Sequence, residues 1–172
     1  MRKKAGNKGF TLIEMILVLA ISILILTMVL ITYNVVNNAN ATKCVKRLET
    51  VIRTARTQAM AKGTEAGRLT LTIEHGNLYA QIGDPLTAEK DLICNSGVTV
   101  KGLMCVAQAD YIARTGNDFT TATVLFNTNG TVRVKGPVGQ ITTHNKFLIN
   151  KGNRNYELML YTETGAVREN MF

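Results

Sequence analysis

Hydrophobic positions along this chain change their spacing twice. From Phe10 to Tyr33 they run almost without interruption, and Glu14 is the one charge in that block. As a helix the block would be about 36 Å long, enough to cross a hydrocarbon layer of about 30 Å. A polar joint follows, with Asn34, Asn37, Asn38 and Asn40. Beyond it Ala41, Val45, Leu48, Ile52, Ala55 and Ala59 recur at alternating steps of four and three. That spacing predicts a helix with a narrow apolar stripe. Lys46, Arg47, Glu49, Arg53 and Arg56 occupy its other faces, and Gly63 is a natural stop. If the joint stays helical, Phe10 to Lys62 forms one rod of about 80 Å.

After Gly63 the period becomes two. RLTLTIE, the turn HGN (75–77) and LYAQI read as a hairpin. TVLF (123–126), NTNG (127–130) and TVRVK (131–135) read as a second. KFLIN (146–150), KGNRN (151–155), YELMLYT (156–162), ETG (163–165) and AVRE (166–169) read as a closing meander. Residues 83–121 are less regular and are expected to be loops with short strands, with GVTVKGLMCVA a candidate strand pair. The predicted fold is therefore α+β. A long N-terminal helix, its lower half embedded in a membrane, packs its upper stripe against a small antiparallel sheet. The expected divisions are 1–9, a basic leader; 10–33, the membrane helix; 34–63, its amphipathic continuation; and 64–172, the sheet domain.

The flanks decide what the apolar block is. MRKKAGNKG precedes it, and no convincing small-residue cleavage site follows it, so a retained membrane helix is preferred over a removed secretory signal. Arg2, Lys3, Lys4 and Lys8 stand close to the block, whereas Lys43, Lys46 and Arg47 are set back on the other side. Proximity places the N-terminus in the cytoplasm and the sheet domain outside. The leader also accounts for half of the formal charge of +8 over 172 residues. The remaining chain is only mildly basic, so charge alone does not argue for nucleic acid.

Catalytic chemistry is not apparent. His75 and His144 fall in predicted turn or loop positions, far apart in sequence, and read as solvated surface residues. No phosphate-binding glycine loop or nucleophile elbow occurs, and the acidic residues are scattered. No catalytic residue, metal or cofactor is expected, which leaves a single-pass membrane enzyme as a remote third reading. The three cysteines, Cys44, Cys94 and Cys105, match no metal or redox spacing. One pair is the most they can form. Cys94 with Cys105 is the expected one, since both lie in the non-helical half; three free thiols serving as small hydrophobes are the alternative.

Glu14 remains unexplained by a simple anchor, because an ionisable group at membrane depth needs a compensating partner. Lys8-Gly9-Phe10-Thr11-Leu12-Ile13-Glu14 resembles the processing signature of type IV prepilins and type II secretion pseudopilins. The resemblance implies cleavage between Gly9 and Phe10 by a membrane prepilin peptidase and N-methylation of the new Phe10 amine. It further implies assembly with other pilin or pseudopilin subunits, driven indirectly by an assembly ATPase and platform. Glu14 would then answer the Phe10 amine of its own or a neighbouring subunit; the plainer alternative is a carboxylate reaching the headgroups.

A second layer of resemblance covers most of the chain. Arg53, Arg56 and Ala59, then VLFNTNGTVRV (124–134) with its F-x-x-x-G pattern, then LMLYTETGAVRE (158–169) with its G-x-V pattern, look like H-type minor pseudopilins and FimT-like minor pilins. Many pilins carry a proline in the membrane helix, whereas residues 11–84 contain none. The implied function is a structural subunit, minor pilin or pseudopilin, of a type IV pilus or secretion fibre. It would start in the cytoplasmic membrane and end in an extracellular or periplasmic fibre. The alternative is a DNA-binding minor pilin of an uptake fibre, with Lys146, Lys151, Arg154 and Arg168 as the candidate patch. Ala166, Glu163 and Glu169 in the closing segment weaken that patch.

Overall fold

The computed structural model describes residues 10–105, 109, 112, 114, 116–133, 144–152 and 154–172. The leader 1–9, including Gly9, and the strand positions Val134 and Lys135 lie outside the described residues. The elements run α1 (Leu12–Lys62), β1 (Leu69–Glu74), β2 (Asn77–Ile82), β3 (Asp91–Cys94), β4 (Thr99–Leu103), β5 (Thr121–Phe126), β6 (Val132–Arg133), β7 (Lys146–Lys151), β8 (Arg154–Leu160) and β9 (Val167–Met171). The chain divides into two units, one ending at Val36 and one spanning Asn37–Phe172.

In the first unit the apolar residues of α1 are exposed on every side. The helix is long and apolar enough to cross a membrane, by length and composition.

In the second unit the periodic stripe is the core. Ala41, Val45, Leu48, Ile52, Ala55 and Ala59 are each 0% exposed. Gly63 ends α1 with φ +101 and its N–H donates to Ala59 O at 3.0 Å, a left-handed exit that favours glycine.

Two antiparallel sheets, not one, cover the stripe. The first has the order β3-β2-β1-β5-β6 and the second β4-β7-β8-β9. Alternate residues point at the helix: Leu69 and Leu71 of β1, Val124 and Phe126 of β5, Phe147 and Ile149 of β7, Tyr156, Leu158 and Leu160 of β8. They join the stripe in one hydrophobic core. The β1–β2 turn is His75-Gly76 with φ +52 and +77, the left-handed pair that matches strand twist in a two-residue hairpin. Among the described residues GVTVKGLMCVA supplies one strand, β4, and its last two residues lie outside them. β3 joins β2, whereas β4 crosses over to pair with β7, and its partners Val100↔Ile149 are distant in sequence.

The outer face of the second sheet is also covered. A Cβ at Gly116 would stand 3.0 Å from Lys101 Cβ and 3.2 Å from Leu148 Cδ1, so the chain near Gly116 passes directly over β4 and β7. On the same face of β7 as Leu148, the fully buried Lys146 pairs with Glu157 at 2.5 Å. The two sit diagonally across β7 and β8, in reach of a long side chain.

Candidate processing and assembly site

The start of α1 is organised by Thr11 and Glu14. Glu14 Oε2 accepts from Thr11 N–H at 2.9 Å and from Thr11 Oγ1 at 3.0 Å, while Glu14 N–H donates to Thr11 Oγ1 at 3.3 Å. This is a capping box: each residue's side chain satisfies the other's backbone N–H, which the first turn of a helix leaves without a partner. The sequence signature contains Thr11 without marking its capping role, for which T-x-x-E in front of an apolar run is the signal. Both Thr11 bonds fall on Oε2. No described contact reaches Oε1, so the carboxylate keeps an oxygen for a further donor. Phe10, just before the cap, is exposed.

The pattern residues of the sheet unit converge on Arg56. Its Nε donates to Gly130 O at 3.0 Å and its Nη2 to Thr164 O at 2.8 Å. Gly130 closes the F-x-x-x-G pattern and Gly165 opens the G-x-V pattern. The two glycines stack: a Cβ on Gly165 would stand 1.8 Å from Gly130 O. Arg56 thereby ties α1 to the β5–β6 turn and the β8–β9 turn at once. Ala59 has a comparable reason to be small, since a Cβ on Gly67 would already lie 2.4 Å from Ala59 Cβ. Arg53 instead faces solvent and pairs with Glu49 at 2.6 Å.

Two expectations are corrected here. The disulfide joins Cys44 to Cys94, Cα–Cα 4.9 Å, and Cys105 is buried outside it. Cys44 falls between Ala41 and Leu48 at steps of three and four, on the buried side of α1, so it meets β3 directly. Cys105 is instead held by Asn145, whose Oδ1 accepts its N–H at 2.6 Å and whose Nδ2 donates to its carbonyl at 3.0 Å. His144 is buried, not solvated. It lies against Phe119 and Phe147, with ring centroids 5.6 and 6.3 Å away. His75 is exposed in its turn, as expected.

The four basic residues offered as a DNA patch are not gathered. Lys146 is in the buried pair with Glu157. Lys151 and Arg154 face each other at the β7–β8 turn, and Arg154 leans on Tyr156 and Met171. Arg168 pairs in register with Met159, five positions along β8 from Arg154 and about 17 Å away. Among the described residues no cluster of His, Cys, Asp or Glu has the arrangement to hold a metal.

Residues 4–30 match the family model described as the prokaryotic N-terminal methylation motif. The match spans the leader from Lys4 onward, the Gly9–Phe10 junction, the capping box and the lower part of α1. It supports a type IV prepilin-like N-terminus, a substrate for prepilin peptidase, on a chain that fits a single-pass membrane anchor. No curated protein and no solved structure matches the chain significantly.

Proposed function

We propose that the chain is a structural, non-catalytic subunit, a minor pilin or pseudopilin, of a type IV pilus or type II secretion-like fibre. Prepilin peptidase would cut between Gly9 and Phe10, the new amine would be methylated, and α1 would carry the subunit into the fibre. The observation that carries this reading is the methylation motif at residues 4–30 standing on a helix that is apolar all round below and buried on one stripe above. An anchor alone needs no carboxylate after its cap. A fibre subunit does, because each incoming Phe10 amine needs a counter-charge in an apolar bundle. Glu14 Oε1 is available for it, and cleavage leaves the capping box intact because Thr11 N remains an amide. The Cys44–Cys94 bond supports placing the sheet unit on the oxidising, exported side. The sorting of subtype, whether H-type or FimT-like, rests on the Arg56, Gly130 and Gly165 patterns. The dispersal of Lys146, Lys151, Arg154 and Arg168 gives the DNA-binding alternative no assembled surface there.

The test is mass spectrometry of the membrane-extracted chain beside its other fibre components. The expected product lacks residues 1–9 and carries one methyl group on Phe10. Gly9→Val should leave an uncut chain starting at Met1, because a branched side chain obstructs approach to the scissile bond. Glu14→Leu should be cut normally yet enter fibres at least tenfold less often. Normal incorporation of Glu14→Leu would remove the pairing role, and an uncut wild-type chain would remove the whole reading.

A further inference from the structure

The loop between β2 and β3 holds an apolar side chain out in solvent. Leu86 is 92% exposed. The loop beneath it is nonetheless firmly tied. The buried Gln81 amide donates to Ala88 O at 2.8 Å and to Pro85 O at 3.4 Å. Leu86 N–H donates to Asp84 Oδ1 at 3.0 Å, and the N–H groups of Thr87 and Ala88 donate to Asp84 O at 3.2 and 2.9 Å. A single exposed leucine is ordinary. One fixed at the tip of a hydrogen-bonded loop is preorganised, because little ordering entropy is left to lose on binding. Asp84 and Glu89 flank it, both exposed and neither in an ion pair among the described residues, while nearby Lys90 is held by Glu74.

A surface of the opposite character lies along the seam between α1 and β3. It is a groove of about 420 Å³ walled by Lys46, Arg47, Thr50, Val51, Leu92 and Ile93. Val51, Leu92 and Ile93 make it apolar, and Arg47 Nη1 donates to Leu92 O at 3.3 Å, closing the outer edge of β3. Its rim is cationic. Lys46 and Arg47 are exposed, and Lys43 lines an adjoining recess that shares Arg47 and Ile93. Asp91 is the opposing charge.

We infer that the occupant of this groove is a second copy of the chain. Leu86 of one copy seats on Val51, Leu92 and Ile93 of the next, and Asp84 and Glu89 meet Lys43, Lys46 and Arg47. Within one copy the contact is not made, as the exposure of Leu86 shows. The loop leaves the sheet at Gly83, whose N–H bonds Arg68 O; the neighbouring Gly67 packs against Ala55 and Ala59 of α1. The groove lies at Leu92, whose partner Tyr79 is four positions along β2 from Gly83, or about 13 Å away. Parallel copies staggered by about that distance bring knob and groove together. Two different surfaces meet in such a contact, so it propagates along an axis and does not close into a symmetric pair. The parallel alignment rests on the fibre-subunit reading; the complementarity of knob and groove does not.

The experiment places a photoreactive phenylalanine analogue at position 86 of the full-length chain in membranes. Illumination should give a covalent homodimer whose cross-linked peptide contains Lys46–Val51 or Asp91–Ile93. Lys46→Glu with Arg47→Glu should lower its yield at least tenfold. Co-expression of that variant with a position-86 copy also carrying Glu89→Lys, which leaves the Asp84 bond to Leu86 in place, should restore part of it. Formation of the Cys44–Cys94 disulfide, read by non-reducing mass analysis, verifies that each variant folds. No dimer, a dimer joined elsewhere, or a product with a different protein alone would overturn the proposal. The mass of the same sample separates the two ideas. A cut chain without the cross-link overturns the docking and leaves the fibre reading standing. An uncut chain with the cross-link does the reverse.

Discussion

The two halves of α1 contain similar kinds of residue and meet opposite surroundings. In the lower half Leu24 and Leu26 are both 61% exposed, and so is every large apolar neighbour around the helix to a comparable degree. In the upper half Leu48 and Ile52 are 0% exposed, and lysines, arginines and threonines fill the other faces. The number of apolar residues does not make the difference; their angular spread does. A stripe of a hundred degrees or so can be covered by sheets of the same chain, whereas a helix apolar all round must be surrounded by something else, lipid or other helices. The Asn-rich joint is where one regime gives way to the other.

Substitutions can break this contrast, and the largest effect should come from the covalent tie of the upper half. Replacing Cys44 and Cys94 with serine opens a ring of 50 residues. Loop-closure entropy puts the loss at about 4 kcal/mol. Urea unfolding of the full-length chain in detergent should show it as a lower midpoint, with membrane retention unchanged.

Leu48→Ala comes next. It empties a fully buried site and should cost about 3 kcal/mol in the same measurement. Leu24→Ala, the matched change below the joint, should leave the unfolding of the sheet unit unaltered. Equal effects from the two leucines would mean that the halves are not independently supported.

Arg56→Ala should cost about 2 kcal/mol by leaving Gly130 O and Thr164 O without their charged donor. Arg56→Lys should recover only part of this, because one ammonium on a single stem does not reproduce the guanidinium fork that spans both carbonyls.

Much of this fold was readable because it is local. The stripe from Ala41 to Ala59 and the hairpin around His75-Gly76 are written in spacing and turn chemistry over a few residues. Where the reading failed, the deciding contact was distant in sequence. The pairing of β4 with β7 made two sheets of the expected one. Lys146 alternates away from the core in KFLIN and so reads as solvent-facing, yet Gly116 packs on Leu148 of the same face and Glu157 pairs with the buried ammonium. Cys44 belongs to the helical half and so reads as apart from Cys94, yet its steps of three and four from the stripe mark it as facing the sheets. At the N-terminus, Glu14 was singled out from sequence as a carboxylate in search of a partner. Its first partner proves to be Thr11, three residues away.

The Cys44–Cys94 bond also has a mechanical side. As a fibre subunit, the chain would be pulled along α1. Packing alone would let that pull shear the stripe from its sheets one side chain at a time. Cys44 stands near the lower end of the stripe, so tension rising through the helix meets a covalent link before it reaches Leu48, Ile52 or Ala55. From Cys94 it passes into β3 and spreads across the β3–β2–β1 ladder, where many hydrogen bonds share it side by side. Under such a load the cystine would act as a strain relief for the packed stripe.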